Sequence, residues 1–301
     1  MRLGLTVLAV VVLGAVVVAV SVVRDGHTAA APRPAGRPAV DTAPATSVPA
    51  SQPADGSATL AAADSSRQQA ASWIAAQVSR GVIVACDPLL CTELEQRGFP
   101  AADLSPVSTS SGDPLGAGIV VSTTAVRSQL GARLATVYAP VVLASFGTGA
   151  DQVQVRVTAA GSAAAFRAAI RADVRERKLA GTELARNKNI SMRAPARAAL
   201  TTGRVDSRLL ITLGALTHRF PVRIVSIGDA GPDAGPGVPL RQLTVAAPGT
   251  SYLSRLLAFL RAQRPPLLPL VSLRHHDRTT DVQIKFSAPS PTRLLSAGAS
   301  P

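Results

Sequence analysis

The chain has 301 residues and a formal net charge of +13, from 31 Lys and Arg against 18 Asp and Glu. Two cysteines exclude a disulfide-dense scaffold. An aromatic content of 3% supplies no row of rings on which single-stranded nucleic acid would stack. Residues Gly4 to Val23 form an apolar run interrupted only by Thr6 and Ser21. A helix of about 20 such residues crosses a bilayer core of ~30 Å with its backbone hydrogen bonds satisfied internally. The apolar core of a cleaved signal peptide is shorter, ~7–15 residues, so an uncleaved anchor is expected, with cleavage after Ala29-Ala30-Ala31 as the alternative.

A stretch rich in Pro, Ala, Ser and Thr follows, with Pro32, Pro34, Pro38, Pro44, Pro49 and Pro53. Such a segment lacks apolar periodicity and reads as a semi-rigid, disordered spacer. The expected organisation is an anchor over 1–24, a linker over 25–66, an α/β domain over 67–160, and a basic helical region with an α/β C-terminal part over 161–301. Arg24, Arg33 and Arg37 outnumber Arg2 around the span, which leans toward a cytoplasmic domain. The composition of the tether favours an external one.

In the folded region, residues 70–79 (AASWIAAQVS) predict a helix and 82–86 (VIVAC) a short buried strand. Asp87-Pro88 starts a helix, because Asp caps and Pro suits the first turn. A strand over 119–122 precedes a helix over 125–137, and strands over 140–146 and 152–157 flank Gly147-Thr148-Gly149. Strands alternating with helices predict a largely parallel α/β sheet. A long helix over 162–186 carries Phe166, Ile170 and Val174 at i, i+4, i+8, the spacing of a buried stripe. Helices over 195–200 and 206–217, a strand over 222–227 and a Gly/Pro loop over 228–239 come next. A strand over 243–246, a helix over 252–261 and a hairpin of 271–274 with 282–286 complete a smaller α+β part.

The positive charge is concentrated. Between Arg156 and Arg223, fourteen basic side chains face four acids, Asp173, Glu176, Glu183 and Asp206. Arg167, Arg171, Arg175 and Lys178 form a basic stripe on the long helix and are the candidate anion-binding residues. An external position argues against nucleic acid and points to anionic lipid, wall polymer or an acidic protein. Asp87 and Asp229 each follow a buried strand, where ligands of α/β sheets gather, so Asp87, Asp229, Asp233 and Arg241 are the candidate ligand-binding residues. Cys86 and Cys91 are expected to form a structural disulfide outside the cytoplasm, with buried thiols or a redox pair as alternatives. His275-His276-Asp277 reads as an exposed hairpin end, since neighbouring strand residues point to opposite faces. No metal site, cofactor motif or nucleophile-base set is recognised.

Several of these segments carry a resemblance. Trp73-Ile74, VIVACD, Leu94 with Arg97-Gly98-Phe99-Pro100, VVST with Val126-Arg127, and APVVLASFGTGADQVQVRV occur in the order and spacing of a known domain. Residues 73–159 thereby resemble the soluble extracytoplasmic domain at the C-terminal end of actinobacterial membrane glycosyltransferases that use polyprenyl-phosphate sugars, the dolichyl-phosphate-mannose type. In that family sugar transfer belongs to the multi-helix membrane part, so the resemblance implies an accessory module without transferase chemistry. The family tends to have acids after the strand and a Trp in the next helix; here Asp87 alone follows Cys86, and Cys91 lies near the Trp place. Residues 203–247 are faintly similar to actinobacterial zinc peptidases of the cell wall, but their loop offers Asp229 and Asp233 and no His. The whole chain is similar to single-pass membrane proteins of actinobacteria. The expected function is therefore binding or scaffolding in the cell envelope beside its enzymes or wall polymer. A hydrolase or transferase using Asp87 and Asp229, and an electrostatic docking module, are the alternatives.

Overall fold

The computed structural model describes residues 54–108, 113–276 and 279–297. The apolar run at 4–23 and the linker up to residue 53 lie outside them. Among the described residues no helix is long and apolar enough to cross a membrane. The end of the expected linker is helical instead: α1 spans Ala54–Gln77. Pro53 is the last proline of the tether, and the Ala-rich sequence after it favours helix over spacer. Ser66, Ala70, Ile74 and Val78 recur every four residues and are buried against the first sheet.

That sheet contains β1 (Val84–Cys86), β2 (Leu104–Pro106), β3 (Ile119–Ser122), β4 (Val141–Phe146) and β5 (Val153–Val157), in the order β2-β1-β3-β5-β4. The pairings β2-β1 and β1-β3 are parallel, whereas β5 runs antiparallel to both β3 and β4. The sheet is thus mixed rather than largely parallel. The turn from Gly147 to Gln152 is too short for the crossover of a dozen or more residues that a parallel pair requires. Between the strands lie α2 (Pro88–Gln96) and α3 (Thr124–Leu130). The helix expected over 125–137 stops at Gly131, whose φ of 53° leaves the helical region, and resumes as a wider turn over Leu134–Tyr138.

A second sheet contains β6 (Ile190–Met192), β7 (Val222–Gly228), β8 (Gln242–Ala247), β9 (Leu270–His275) and β10 (Thr280–Lys285), in the order β6-β7-β8-β10-β9. Only β6-β7 is parallel. Helices α4 (Ala163–Arg186), α5 (Ala194–Thr201), α6 (Ser207–Thr217), α7 (Thr250–Arg261) and the short α8 (Leu294–Ala297) complete the chain. Side chains of Ser162 and Asp206 cap α4 and α6. The described fold is a mixed α/β domain with two five-stranded sheets.

Two connections tie the sheets together. Ala288 exchanges backbone hydrogen bonds with the end of α1, its N–H to Gln77 O at 2.7 Å and its carbonyl from Ser79 N at 2.9 Å. The Gly/Pro loop between β7 and β8 lies along β4, the outer strand of the first sheet. Ser145 N donates to Pro232 O and Gly235 N donates to Val142 O, both at 2.9 Å. An edge that would otherwise expose unpaired amides is covered by this loop.

The long helix α4 is not buried through the expected stripe. Phe166, Ile170 and Val174 are half-buried, and the buried face carries Ala163, Asp173, Arg177, Gly181 and Ala185. Small residues let α5 approach: a Cβ added to Gly181 would lie 2.2 Å from Leu200 O. Asp173 and Arg177 form a buried ion pair, Nε to Oδ2 at 2.8 Å. Arg177 also donates through Nη1 to Gly203 O at 2.7 Å and through Nη2 to Gly237 O at 2.9 Å. A guanidinium that satisfies one carboxylate and two carbonyls is among the few ways to bury this charge without a large desolvation penalty. Burial pushes the Asp173 carboxyl above its ordinary value of 3.8, and Arg177 opposes this without cancelling it. A raised carboxyl pKa favours the folded state below the unfolded value, and the advantage is lost as pH rises through the folded one. Urea titrations from pH 3 to 8 should therefore show the wild type losing stability relative to an Asp173→Asn variant as pH rises. A difference that grows in favour of the wild type would reverse the assigned direction.

Candidate functional site

The candidate carboxylates do not share a crevice. Asp87 caps α2, with Oδ1 accepting from Leu90 N at 3.0 Å, and its Oδ2 accepts from the Thr123 hydroxyl at 2.5 Å. It is buried, and both oxygens are engaged in fastening α2 to the start of α3. The small cleft beside it, about 230 Å³, is lined by Arg67, Thr124 and Asp151 among others and includes neither Asp229 nor Asp233. Asp229 lies in the loop after β7 with φ 66° and pairs with Lys285 Nζ at 2.9 Å. Asp233 is an exposed loop residue with φ 45°. Short polar side chains tolerate this left-handed backbone better than most, which accounts for Asp at both places.

Arg241 lies in the interior. Its side chain is 1% exposed, and its guanidinium stands 5.6 Å from the centre of the Trp73 ring. No hydrogen-bond acceptor among the described residues meets its Nε, Nη1 or Nη2. Burial lowers its pKa, and attraction to Asp229 and Asp206 works against that. Asp206 is itself held by Arg208, through Nε to Oδ1 at 3.0 Å and Nη2 to Oδ2 at 2.8 Å. Arg241 thus packs as a wide, flat side chain between the second sheet and α1.

The cysteines do meet. Cys86 and Cys91 are bonded, with Cα atoms 5.5 Å apart, and they join the end of β1 to the first turn of α2. The hairpin histidines go to separate partners: His275 Nδ1 lies 3.1 Å from Thr280 Oγ1, and His276 Nε2 lies 3.3 Å from Asp281 Oδ2. Asp277 lies outside the described residues. Among the described residues no group of three His, Cys, Asp or Glu is placed to hold a metal ion.

The basic stripe stands beside a groove. This groove of about 650 Å³ runs between α4, the start of β4 and the loop Gly235–Gly237. Its walls are Pro140, Val141 and Val142 on one side, Ile170 and Val174 on the other, and Pro236 along the loop. Arg167, Arg171 and Arg175 line it as well, and no acid does. Lys178, the fourth residue of the stripe, is exposed one turn beyond and does not line it. Arg167 donates to Ala135 O at 2.8 Å. Arg171 and Arg175 are exposed and have neither a hydrogen bond nor an ion pair among the described residues. Arg156, buried on β5 and hydrogen-bonded to Ala139 O at 2.7 Å, adds positive charge behind the groove. Its pKa is lowered by burial and then by Arg167. The loop wall is set by Gly237: with φ 88°, its position leaves a Cβ only 2.6 Å from Ile170 Cγ2. A second arginine-rich hollow, by Arg219 and Arg255, differs because those guanidinium groups stack on Phe259 and Phe220.

The sequence identified the stripe and missed the groove. The groove needs the Gly/Pro loop to dock on β4, a contact between residues about ninety positions apart. The chain matches no family model, no curated protein and no solved structure.

Replacing Arg241 tests its structural role. Arg241→Met keeps the packing on Trp73 and removes a buried charge without a hydrogen-bonded partner, while Asp229 and Asp206 keep Lys285 and Arg208. Its stability should match or exceed that of the wild type, by up to roughly 4 kcal/mol. Arg241→Ala should be destabilised through lost packing. A loss of more than about 2 kcal/mol for the Met variant in urea unfolding would mean that the guanidinium makes net stabilising interactions.

Proposed function

We propose that this protein is a membrane-anchored, extracytoplasmic binding protein of the cell envelope that captures an anionic envelope component at the groove beside α4. The observation that carries this reading is the set of arginines lining a concave, acid-free surface, two of them without partners among the described residues. Arginine presents a planar fork of donors that matches phosphate and carboxylate oxygens. A positive field in a cleft raises the local concentration of anions.

Three further features support the anchored placement, the last of them its position outside the cytoplasm. The apolar run at 4–23 suits a single span, the Pro-rich stretch suits a tether, and the Cys86–Cys91 bond suits an oxidising compartment. The resemblance of residues 73–159 supports an accessory role beside glycan-assembling enzymes. The engagement of Asp87 in capping, and of Asp229 with Lys285, speaks for binding over a reaction that uses the two together.

The test uses the full chain in nanodiscs of zwitterionic lipid, with inorganic polyphosphate as the probe anion. Binding should fall steeply between low and physiological salt, as exposed charges are screened. The Arg171→Glu/Arg175→Glu variant should bind at least about tenfold more weakly, with an unchanged melting transition. Affinity that ignores salt, or survives in that variant, would contradict the reading.

A further inference from the structure

We infer that the groove holds a single-chain anionic amphiphile, its apolar chain lying in the groove and its phosphate or carboxylate head on Arg171 and Arg175. This rests on the anionic reading of the same site and adds the chemistry of the rest of the ligand. Charge accounts for only part of the surface. Between the arginines and β4 the walls are Pro140, Val142, Ile170, Val174 and Pro236, all apolar. Ile170, Val174 and Val142 are half-buried, so part of each side chain faces the open groove.

A hydrophilic polyanion would engage the rim and leave these walls wet. A neutral lipid would fill the walls and leave Arg171 and Arg175 without a counter-charge. An amphiphile satisfies both, since each CH2 taken out of water strengthens binding of this kind. The dimensions agree. A volume of about 650 Å³ lies within the range of small-molecule sites. Arg167, Arg171 and Arg175 succeed each other at i, i+4, i+8, so the charged rim extends along roughly 12 Å of helix. Salt-bridged acids are absent from the lining, so an incoming head displaces no ion pair there.

The experiment is site-resolved photolabelling of the full chain in zwitterionic nanodiscs. The probe is a dodecyl phosphate with a diazirine near the chain end, and the control carries the same chain on a glucoside head. The phosphate probe should label peptides containing 140–142, 170–174 or 235–237 at least tenfold more than the glucoside. Labelling should be lost in Arg171→Glu/Arg175→Glu. It should also be lost in Val174→Trp, which fills the groove and should still bind polyphosphate. Polyphosphate binding without groove labelling would overturn the amphiphile and leave the anionic reading standing. Equal labelling by the glucoside would overturn the anionic head, and with it the reading on which this inference rests.

Discussion

The arrangement of this protein depends on how one buried charge is satisfied. Arg177 lies inside α4 and reaches three places at once: Asp173 on its own helix, Gly203 after α5, and Gly237 in the loop between β7 and β8. Removing any one of these partners leaves a desolvated guanidinium short of an acceptor, a change that costs about 3–5 kcal/mol when a buried pair is broken. The loop is therefore not a free connection. It is drawn onto α4 by Arg177 and onto β4 by the hydrogen bonds of Pro232 and Gly235, and in that position it makes one wall of the groove.

The same distribution of charge explains the outer face of α4. Asp173 points inward to Arg177, so the helix spends an acid on its buried side. Glu183 pairs with Arg186 near its end. Arg171 and Arg175 face solvent and pair with none of the helix's acids, the third of which, Glu176, is half-buried with its Oε2 unbonded among the described residues. An exposed arginine usually contributes little to stability, so this uncompensated row bears on what the surface attracts more than on how the fold holds together. The packed face and the exposed basic face are thus opposite faces of one helix.

Much of this was legible in the sequence, but unevenly. Helix starts at Asp87, Thr123, Ser162 and Asp206 follow local capping chemistry, and the strands at 119–122, 141–146 and 153–157 follow runs of Val, Ile and Phe. The three-residue edge strands β2 and β6 give no such run and were missed. The apolar spacing of Phe166, Ile170 and Val174 predicts a core stripe, whereas Ile170 and Val174 line an open groove beside a buried face of small and ionic residues. Periodicity reports a face and not what lies against it. Asp229 and Arg241 read as ligand-binding residues because they flank a Gly/Pro loop after a strand; the loop braces the sheets, and its Gly235–Gly237 part, not Asp229 or Arg241, lines the groove. Only contacts distant in sequence, such as Gly237 with Arg177 and Pro232 with Ser145, fix where that loop lies.

The loop over residues 229–239 is a fixed wall held by Arg177. Hydrogen exchange of the full chain tests it most directly. The amides of Gly235 and Ser145 should exchange slowly, at rates set by extensive unfolding, and an Arg177→Gln variant should expose those amides while the β3 amides stay protected. Rapid exchange of Gly235 and Ser145 in the wild type would show that the loop moves freely, and the groove would lose its fixed loop wall.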